Sequence, residues 1–528
     1  MSGSTLIDDR EVCRRMLRDP ADAAAYPDAI RGLRPGAAVF RWFRRLTVLP
    51  TAFAEGDILM VDGDVLRRAL RATASVEVAD LRRLANSVRF RHRAIPGFVG
   101  AALVANRRVD LDALATLPVR FADARDNFDR LIAILSENAV PDTVDEAYSM
   151  TLAKQSVASA LRSAGLNEQA ARLELNVSRF MRRVRRNLYG EAFRVFRPQW
   201  TAAIGHLVLL AFLFRGQAEG IFDFRGAKVV GGRIANRFLW DLMLSASPDV
   251  EIVPGWTGFA DSHSSRHLEW VDGRFVDCFE ACGIVADRAG DCRGAILAQP
   301  ARSQPALARF LASTGIAPDD RIVTLHCREA GFRVNERHDL RNAEIASCLP
   351  AVAGLVARGY RVVRLGDRTM TPLPAMAGVV DYATSDLKSA ELDVLLPAAA
   401  TFHIGSSSGL SLVPLLFGVP CLFLNWYPFD LLPWGRRNWT VLKTLTSLAD
   451  GRRVTDRATY GPLARLRDRR LLRASGHDAH DLRPVEITRA VEDFARIRES
   501  EPGEPPRSGR NAGRLLIADE SGRLRDLA

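Results

Sequence analysis

Lysine is nearly missing from this chain. Of its 73 lysine and arginine residues only Lys154, Lys228, Lys388 and Lys443 are lysine, so the net charge of +11 is carried by arginine. That skew fits a coding bias and a solvated basic surface better than a patch built for DNA or RNA, and no nucleic acid is expected as a partner. Paired cysteine motifs are missing too. Seven cysteines are scattered, with Cys278 and Cys282 four apart and Cys292 ten further on, and no C-x-x-C or Cys/His zinc spacing occurs. Buried thiols in a reducing cytoplasm are the expectation. Long hydrophobic runs are absent: the longest, 204–214, contains His206 and is too short to span a bilayer. Met1 to Arg15 is polar and charged, so no secretory leader is expected. The chain reads as cytoplasmic, at most peripheral at the inner face of a membrane. The D-x-D form of metal-dependent transferases occurs at Asp62-Gly63-Asp64, but its central glycine between apolar runs reads as a turn, and no metal is expected.

What is present is an ordinary globular composition. The 528 residues are 48% apolar and 26% charged, which excludes disorder and fibres as the main class and suggests roughly three domains. Residues 1–198 have apolar positions three and four apart, as in Leu66 and Leu70 or Leu111, Leu114 and Leu117, and read as a mostly helical region of unassigned role. At its end, Phe180, Val184 and Leu188 share one face, while Arg179, Arg182, Arg183, Arg185 and Arg186 cover much of the rest. That pattern predicts a basic amphipathic helix over 180–196. Residues 179–197 are therefore a candidate contact with an anionic membrane surface, or an exposed helix packed on the next domain.

Beyond residue 199 strands alternate with helices, the signature of a parallel sheet with helical crossovers. Strands over 200–205, 228–231 and 250–253 and helices over 207–214 and 234–245 predict a first Rossmann-like domain, 199–315. The second, 316–498, has strands over 321–327, 360–365, 378–382, 401–404 and 420–425. Its helices run over 342–358, with Pro350 as a kink or restart, over 389–396, stopped by Pro397, and over 410–417. The tail, 499–528, is rich in proline, glycine, serine and charge and is expected to be disordered.

Four motifs carry candidate chemistry. Gly405-Ser406-Ser407-Ser408-Gly409 follows a strand and precedes a helix, so small residues, hydroxyls and unpaired N–H groups suit a phosphate or diphosphate; a plain strand–helix turn is the rival. His326-Cys327-Arg328-Glu329 ends another strand, and Arg328 could fork onto a phosphate or pair with Glu329. His338-Asp339-Leu340-Arg341-Asn342 enters a helix, with Asn342 or Asp339 as a candidate cap. Asp367 follows a strand end and suits a sugar hydroxyl or a turn. His206, after Ile204-Gly205, is placed to act as a general base or to bond to backbone.

These motifs together resemble a family of bacterial glycosyltransferases associated with surface-polysaccharide clusters. The similarity rests on L-H-C-R (325–328), H-D-L-R-N (338–342), the strand closing on Gly366-Asp367, and D-Y-A-T-S-D-L-K-S (381–389). It continues through I-G-S-S-S-G to N-W-Y-P (404–428), Lys443, and I-G-H-L (204–207). It spans roughly residues 200–500, departs from the family pattern at Cys348 and Pro397, and leaves the first 198 residues uncovered. The resemblance implies a GT-B-like α/β enzyme, with two Rossmann-like doubly wound domains facing across a cleft and the donor nucleotide-sugar held mainly by the second. It places His326, Arg328, Glu329, Asp367, Gly405, Ser406, Ser407, Ser408, Gly409, Asn425 and Lys443 at the donor, and His338, Asp339 and Arg341 as further substrate contacts. It makes His206 the candidate base. The expected partners are a nucleotide-sugar and a glycan or lipid-linked acceptor, with no cofactor and no metal. The H-x-R strand end and serine loop also look like those of fucosyltransferase-type folds. A pyruvyl-type transferase on the same scaffold and a non-catalytic polymer-binding scaffold are the alternatives.

Overall fold

The computed structural model describes residues 193–222, 226–247, 250–254, 268–271, 274–332, 336–429, 431–464, 466, 469–500 and 513–527. The chain divides into two units, Met1–Ala192 with Trp256–Leu268, and Phe193–Gly255 with Glu269–Ala528. Apart from Leu268 the described elements belong to the second. The expectations for residues 1–192, including Asp62-Gly63-Asp64, lie outside the described residues.

A small parallel sheet comes first, in the order β1 (Phe193–Phe196), β2 (Gly226–Val230) and β3 (Val250–Val253). Helix α1 (Ile204–Ala218) joins β1 to β2, and α2 (Arg237–Ser245) joins β2 to β3. Strands β4 (Leu268–Val271) and β5 (Arg274–Asp277) form a separate pair. They lead into α3 (Cys278–Ala289) and α4 (Pro305–Ser313).

Two expectations are corrected here. The amphipathic helix drawn to 196 cannot include Phe193–Phe196, which is β1. Its F-R-V-F sequence is aromatic and β-branched and pairs in register with β2. The strand expected at 200–205 is instead a 3-10 turn, Pro198–Trp200, followed by α1. A short apolar run does not separate a buried strand from a buried helix by periodicity, and α1 is apolar all round because it is buried on nearly every side.

The large sheet has eight strands. In chain order its members are β6 (Arg321–His326), β7 (Tyr360–Leu365), β8 (Val379–Val380), β9 (Phe402–Gly405), β10 (Cys421–Trp426) and β11 (Trp439–Leu442). The hairpin β12 (Thr444–Ser447) and β13 (His477–His480) stands apart. Strands β14 (Arg514–Ala518) and β15 (Leu524–Asp526) complete the sheet. The spatial order is β15-β14-β11-β10-β9-β6-β7-β8, parallel throughout except for the β14–β15 edge. The expected disorder of 499–528 is therefore wrong for its second half. The apolar run Leu515-Leu516-Ile517, hidden in a polar tail, buries Leu516 and Ile517 beside β11.

Central strands buried on both faces read as continuous apolar runs, as in β10. One face packs Val323, Leu325, Phe402, Ile404 and Leu422 against α5 (Leu349–Ala357) and α9 (Pro484–Ser500). The other packs Ile322, Val363 and Leu365 against α4 and α6 (Leu392–Ala398). Between β12 and β13 the chain forms α7 (Arg457–Leu463) and α8 (Arg469–Ala474). Helices on both faces make the unit doubly wound.

Pro350 restarts the chain: a 3-10 turn, Ile345–Cys348, gives way to α5 with Pro350 in its first turn. Pro397 does not stop its helix but lies inside α6. The helix expected at 410–417 is a 3-10 run, Leu410–Phe417, interrupted by Pro414 and ended by Gly418 at φ 64°. Helix α1 packs on this run, and Leu207–Phe214 share one core with Leu412, Val413, Leu416, Phe417, Cys421 and Phe423.

Candidate active site

From β6 the chain steps outward to β7 and β8, then returns to β9 on the other side and continues to β10 and β11. The carboxyl ends of β6 and β9 flank this switch point, where open α/β sheets place ligands. His326 stands opposite Gly405 in register, so the H-C-R-E and G-S-S-S-G motifs are brought together. Ser406 Oγ accepts the backbone N–H of Arg328 at 2.8 Å. Ser407 Oγ accepts the backbone N–H of Tyr427, beyond β10, at 2.6 Å. Two serines thus staple the loop to the strand ends on either side.

Around the staple runs a frame of polar bonds. Arg328 Nε donates to Asn342 Oδ1 at 3.2 Å. Arg341 donates to the Ser407 carbonyl from Nε at 3.0 Å and Nη2 at 2.7 Å. Lys443 Nζ donates to the Asn342 carbonyl at 2.7 Å and pairs with Asp481. Asn425 Oδ1 accepts the Leu482 N–H at 2.7 Å. Asn425 is left-handed at φ 52°, a conformation asparagine tolerates better than most residues and one that gathers at functional sites.

Exposure sorts the expected residues. Arg328 at 5%, Ser406 at 3%, Ser407 at 1%, Asn425 at 3% and Lys443 at 2% are inside the frame. Ser408, Gly409, Arg341 and Asn342 are half-buried at its rim.

The N-terminus of α1 meets this rim. A methyl group built on Gly205 would lie 2.7 Å from the Cα of Gly409, so the two backbones touch. Gly409 has an ordinary φ of −63°; it is glycine for space. His206 follows directly. Its Nδ1 is 3.2 Å from the Gln199 carbonyl, which can only accept, so Nδ1 carries the hydrogen of that bond. The Trp200 ring lies 6.0 Å from it, centroid to centroid.

Beneath the loop two imidazoles share one face of the sheet. His326 Nδ1 donates to the Leu365 carbonyl at 3.2 Å, and His403 Nδ1 is 3.0 Å from Thr324 Oγ1. His326 Nε2, His403 Nε2 and Ser411 Oγ are buried without a hydrogen-bond partner. Burial, then the nearby Arg364 and Arg328 cations, lower the His326 pKa to about 4. Burial, then His326 itself, lowers that of His403 to about 3. Both rings are neutral at pH 7. A Cβ on Gly405 would come within 2.7 Å of His403 Nε2 and 2.6 Å of Ser411 Oγ.

Other expected residues lie elsewhere. Glu329 pairs not with Arg328 but with Arg364 at 2.7 Å; Arg364 also pairs with Asp381 at 3.0 Å and is fully buried. Asp367 closes a turn by accepting the Thr369 N–H at 2.8 Å. Asp339 pairs with Arg469 at 2.6 Å. His338 belongs to the 3-10 segment Glu336–Arg341, and its side chain lies outside the described residues. Sequence reasoning missed Asp481 and Arg364. Asp481 sits in a stretch with no readable pattern, and an arginine inside the Y-R-V-V-R-L strand gave no sign that it faces inward.

Among the described residues no group of three or more His, Cys, Asp or Glu side chains could hold a metal ion, and no helix is long and apolar enough to cross a membrane. No family profile and no curated protein matches the chain. Among solved structures, the dodecameric iron-containing heptosyltransferase TibC, in complex with ADP-D-β-D-heptose, is similar at 14% identity with a TM-score of 0.26. The alignment covers 44% of this chain and 58% of that one, so the chain spans a little over half of its length.

Proposed function

We propose that this protein is a glycosyltransferase of GT-B type, moving a sugar from a nucleotide-diphosphate donor to a hydroxyl of a glycan or lipid-linked acceptor. The observation that carries this reading is the contact of Gly205 with Gly409, which brings His206 beside the serine loop at the switch point. A base and an anion-accommodating loop are the two parts that group transfer to a hydroxyl requires.

In the inverting form, His206 Nε2 takes the proton of the acceptor hydroxyl as its oxygen attacks the anomeric carbon. The bond from that carbon to the diphosphate oxygen breaks, and the diphosphate leaves with the electron pair. Ser408 and Arg341 at the rim stabilise the leaving group, while Arg328, Asn342, Ser406, Ser407 and Lys443 hold the loop in position. No metal is assigned a step. Preorganised donors aimed at the developing charge matter most in such chemistry.

The test is thermal unfolding of the purified chain against a panel of nucleoside diphosphates, with and without EDTA. Saturation at about a hundred times the dissociation constant stabilises by about 2.7 kcal/mol. A selective shift with one nucleotide, unchanged by EDTA and lost in Arg341→Ala, is the expected result. No shift with any nucleotide would sink the reading and favour pyruvyl transfer or a scaffold.

A further inference from the structure

A second polar cleft lies at the opposite end of the large sheet. It has a volume of about 180 Å³ and opens to solvent between the segment carrying Asp287, Asp291 and Arg293 and the turn Trp434–Asn438. That turn leads into β11, and Gly418 and Val419 in the cleft floor lead into β10. The cleft is therefore at the amino ends of these strands, whereas the serine loop is at the carboxyl end of β9, roughly 20 Å away along a six-residue strand.

Three guanidinium groups and two carboxylates line it. Asp291 pairs with Arg293 at 2.9 Å and Asp287 with Arg436 at 3.6 Å. Among the described residues no carboxylate is left for Arg437. Its Nη1 reaches the Gly418 carbonyl only at 3.5 Å, and its Nε is buried with no partner. The Nε1 of Trp434, in the same wall, also lacks an acceptor.

A partly buried guanidinium without a counter-ion is costly, because arginine cannot shed its charge. Burial and the nearby Arg498 and Arg293 cations push Arg437 below the usual arginine range. The turn is also fixed from behind. Asn438 Oδ1 accepts the Cys421 N–H at 2.8 Å, and Gly435, at φ 110°, leaves room for the Asn438 amide. Arg437 is thus held in place rather than free to swing into water.

We propose that this cleft binds an oxyanion, a phosphate or carboxylate group of a small molecule, with Arg437 as its principal contact and Arg293 beside it. The anion supplies the counter-charge that the protein withholds, and the two donor-only groups accept no other kind of partner. The proposal does not depend on the glycosyltransferase reading.

Calorimetric titration of the full chain at low ionic strength tests it, with inorganic phosphate and succinate as separate probes. Wild type should bind at least one of them. Arg437→Gln should weaken that binding tenfold or more and Arg293→Gln several-fold, while Arg328→Ala leaves it unchanged. The probe that binds names the class. No binding of either probe, equal affinity in Arg437→Gln, or loss confined to Arg328→Ala would overturn the proposal. If circular dichroism shows Arg437→Gln unfolded, Arg293→Gln decides, since its side chain is 36% exposed; unchanged affinity there overturns the proposal as well.

Discussion

Gly205 and Gly409 touch backbone to backbone, and neither has room for a side chain: a methyl on Gly409 would lie 2.7 Å from the Gly205 nitrogen. This contact predicts that Gly409→Ala and Gly205→Ala force the helix and the loop apart. Overpacking of this kind costs about 1–3 kcal/mol. Denaturant midpoints should fall in both variants, and in any transferase assay kcat should fall further than stability alone explains, because His206 retreats from the loop.

The pair of buried histidines sets a pH dependence. Both are depressed below the ordinary 6.5, to about 4 for His326 and about 3 for His403. As pH falls below about 6.5 the unfolded chain takes up protons that the folded chain refuses, so stability is lost on acidification and is fully present above that point. Each histidine contributes a slope of about 1.4 kcal/mol per pH unit. Urea titrations between pH 7 and 5 should show the decline, and His403→Asn should roughly halve its slope. A flat profile in wild type would contradict the buried neutral rings.

Lys443 and Asp481 are unequally buried, at 2% and 26% exposure. Asp481→Asn strands a lysine charge and should cost roughly 2 kcal/mol or more, short of the value for a fully buried pair. Lys443→Met should cost less, and the double variant should recover part of the loss. A double-mutant cycle in guanidinium reads the coupling.

Arg328→Lys keeps the charge but loses the Nε–H that meets Asn342. A charge-assisted bond of this kind is worth about 1.5–3 kcal/mol. The lysine variant should be destabilised nearly as much as Arg328→Ala, which calorimetric unfolding would measure.

Truncation after residue 512 removes β14 and β15 and bares the β11 edge, including Trp439 and Val441. The shortened chain should aggregate, and light scattering on gentle warming would reveal it.

The sequence read most clearly where a strand was bounded by charge and glycine. Residues 360–365 and 250–253 were placed to the residue, and the serine loop and the His326–Arg328 strand end were expected as neighbours. Helix α1 was misread at its start because Ile204-Gly-His-Leu is apolar enough for either element. The β14 strand was hidden because three apolar residues do not alter the composition of a polar tail. The staple of Ser406 and Ser407 was not legible either: composition shows hydroxyls but not that they point along the sheet edge at neighbouring N–H groups. From the sequence Glu329 reads as a donor contact or as the ion-pair partner of Arg328, yet it pairs with Arg364, 35 residues away on β7.

The uniformly apolar α1 has a mechanical consequence. A hinge that swung the small sheet away from the large one would have to part the core in which Leu207–Phe214 lie together with Leu412, Val413, Leu416 and Phe417, and where Phe212 meets Trp434 edge to face, at about 1.5–3 kcal/mol for each large side chain bared. Separation of the two sheets is therefore opposed by the core they share, and its cost grows with every large side chain that the movement would expose to water.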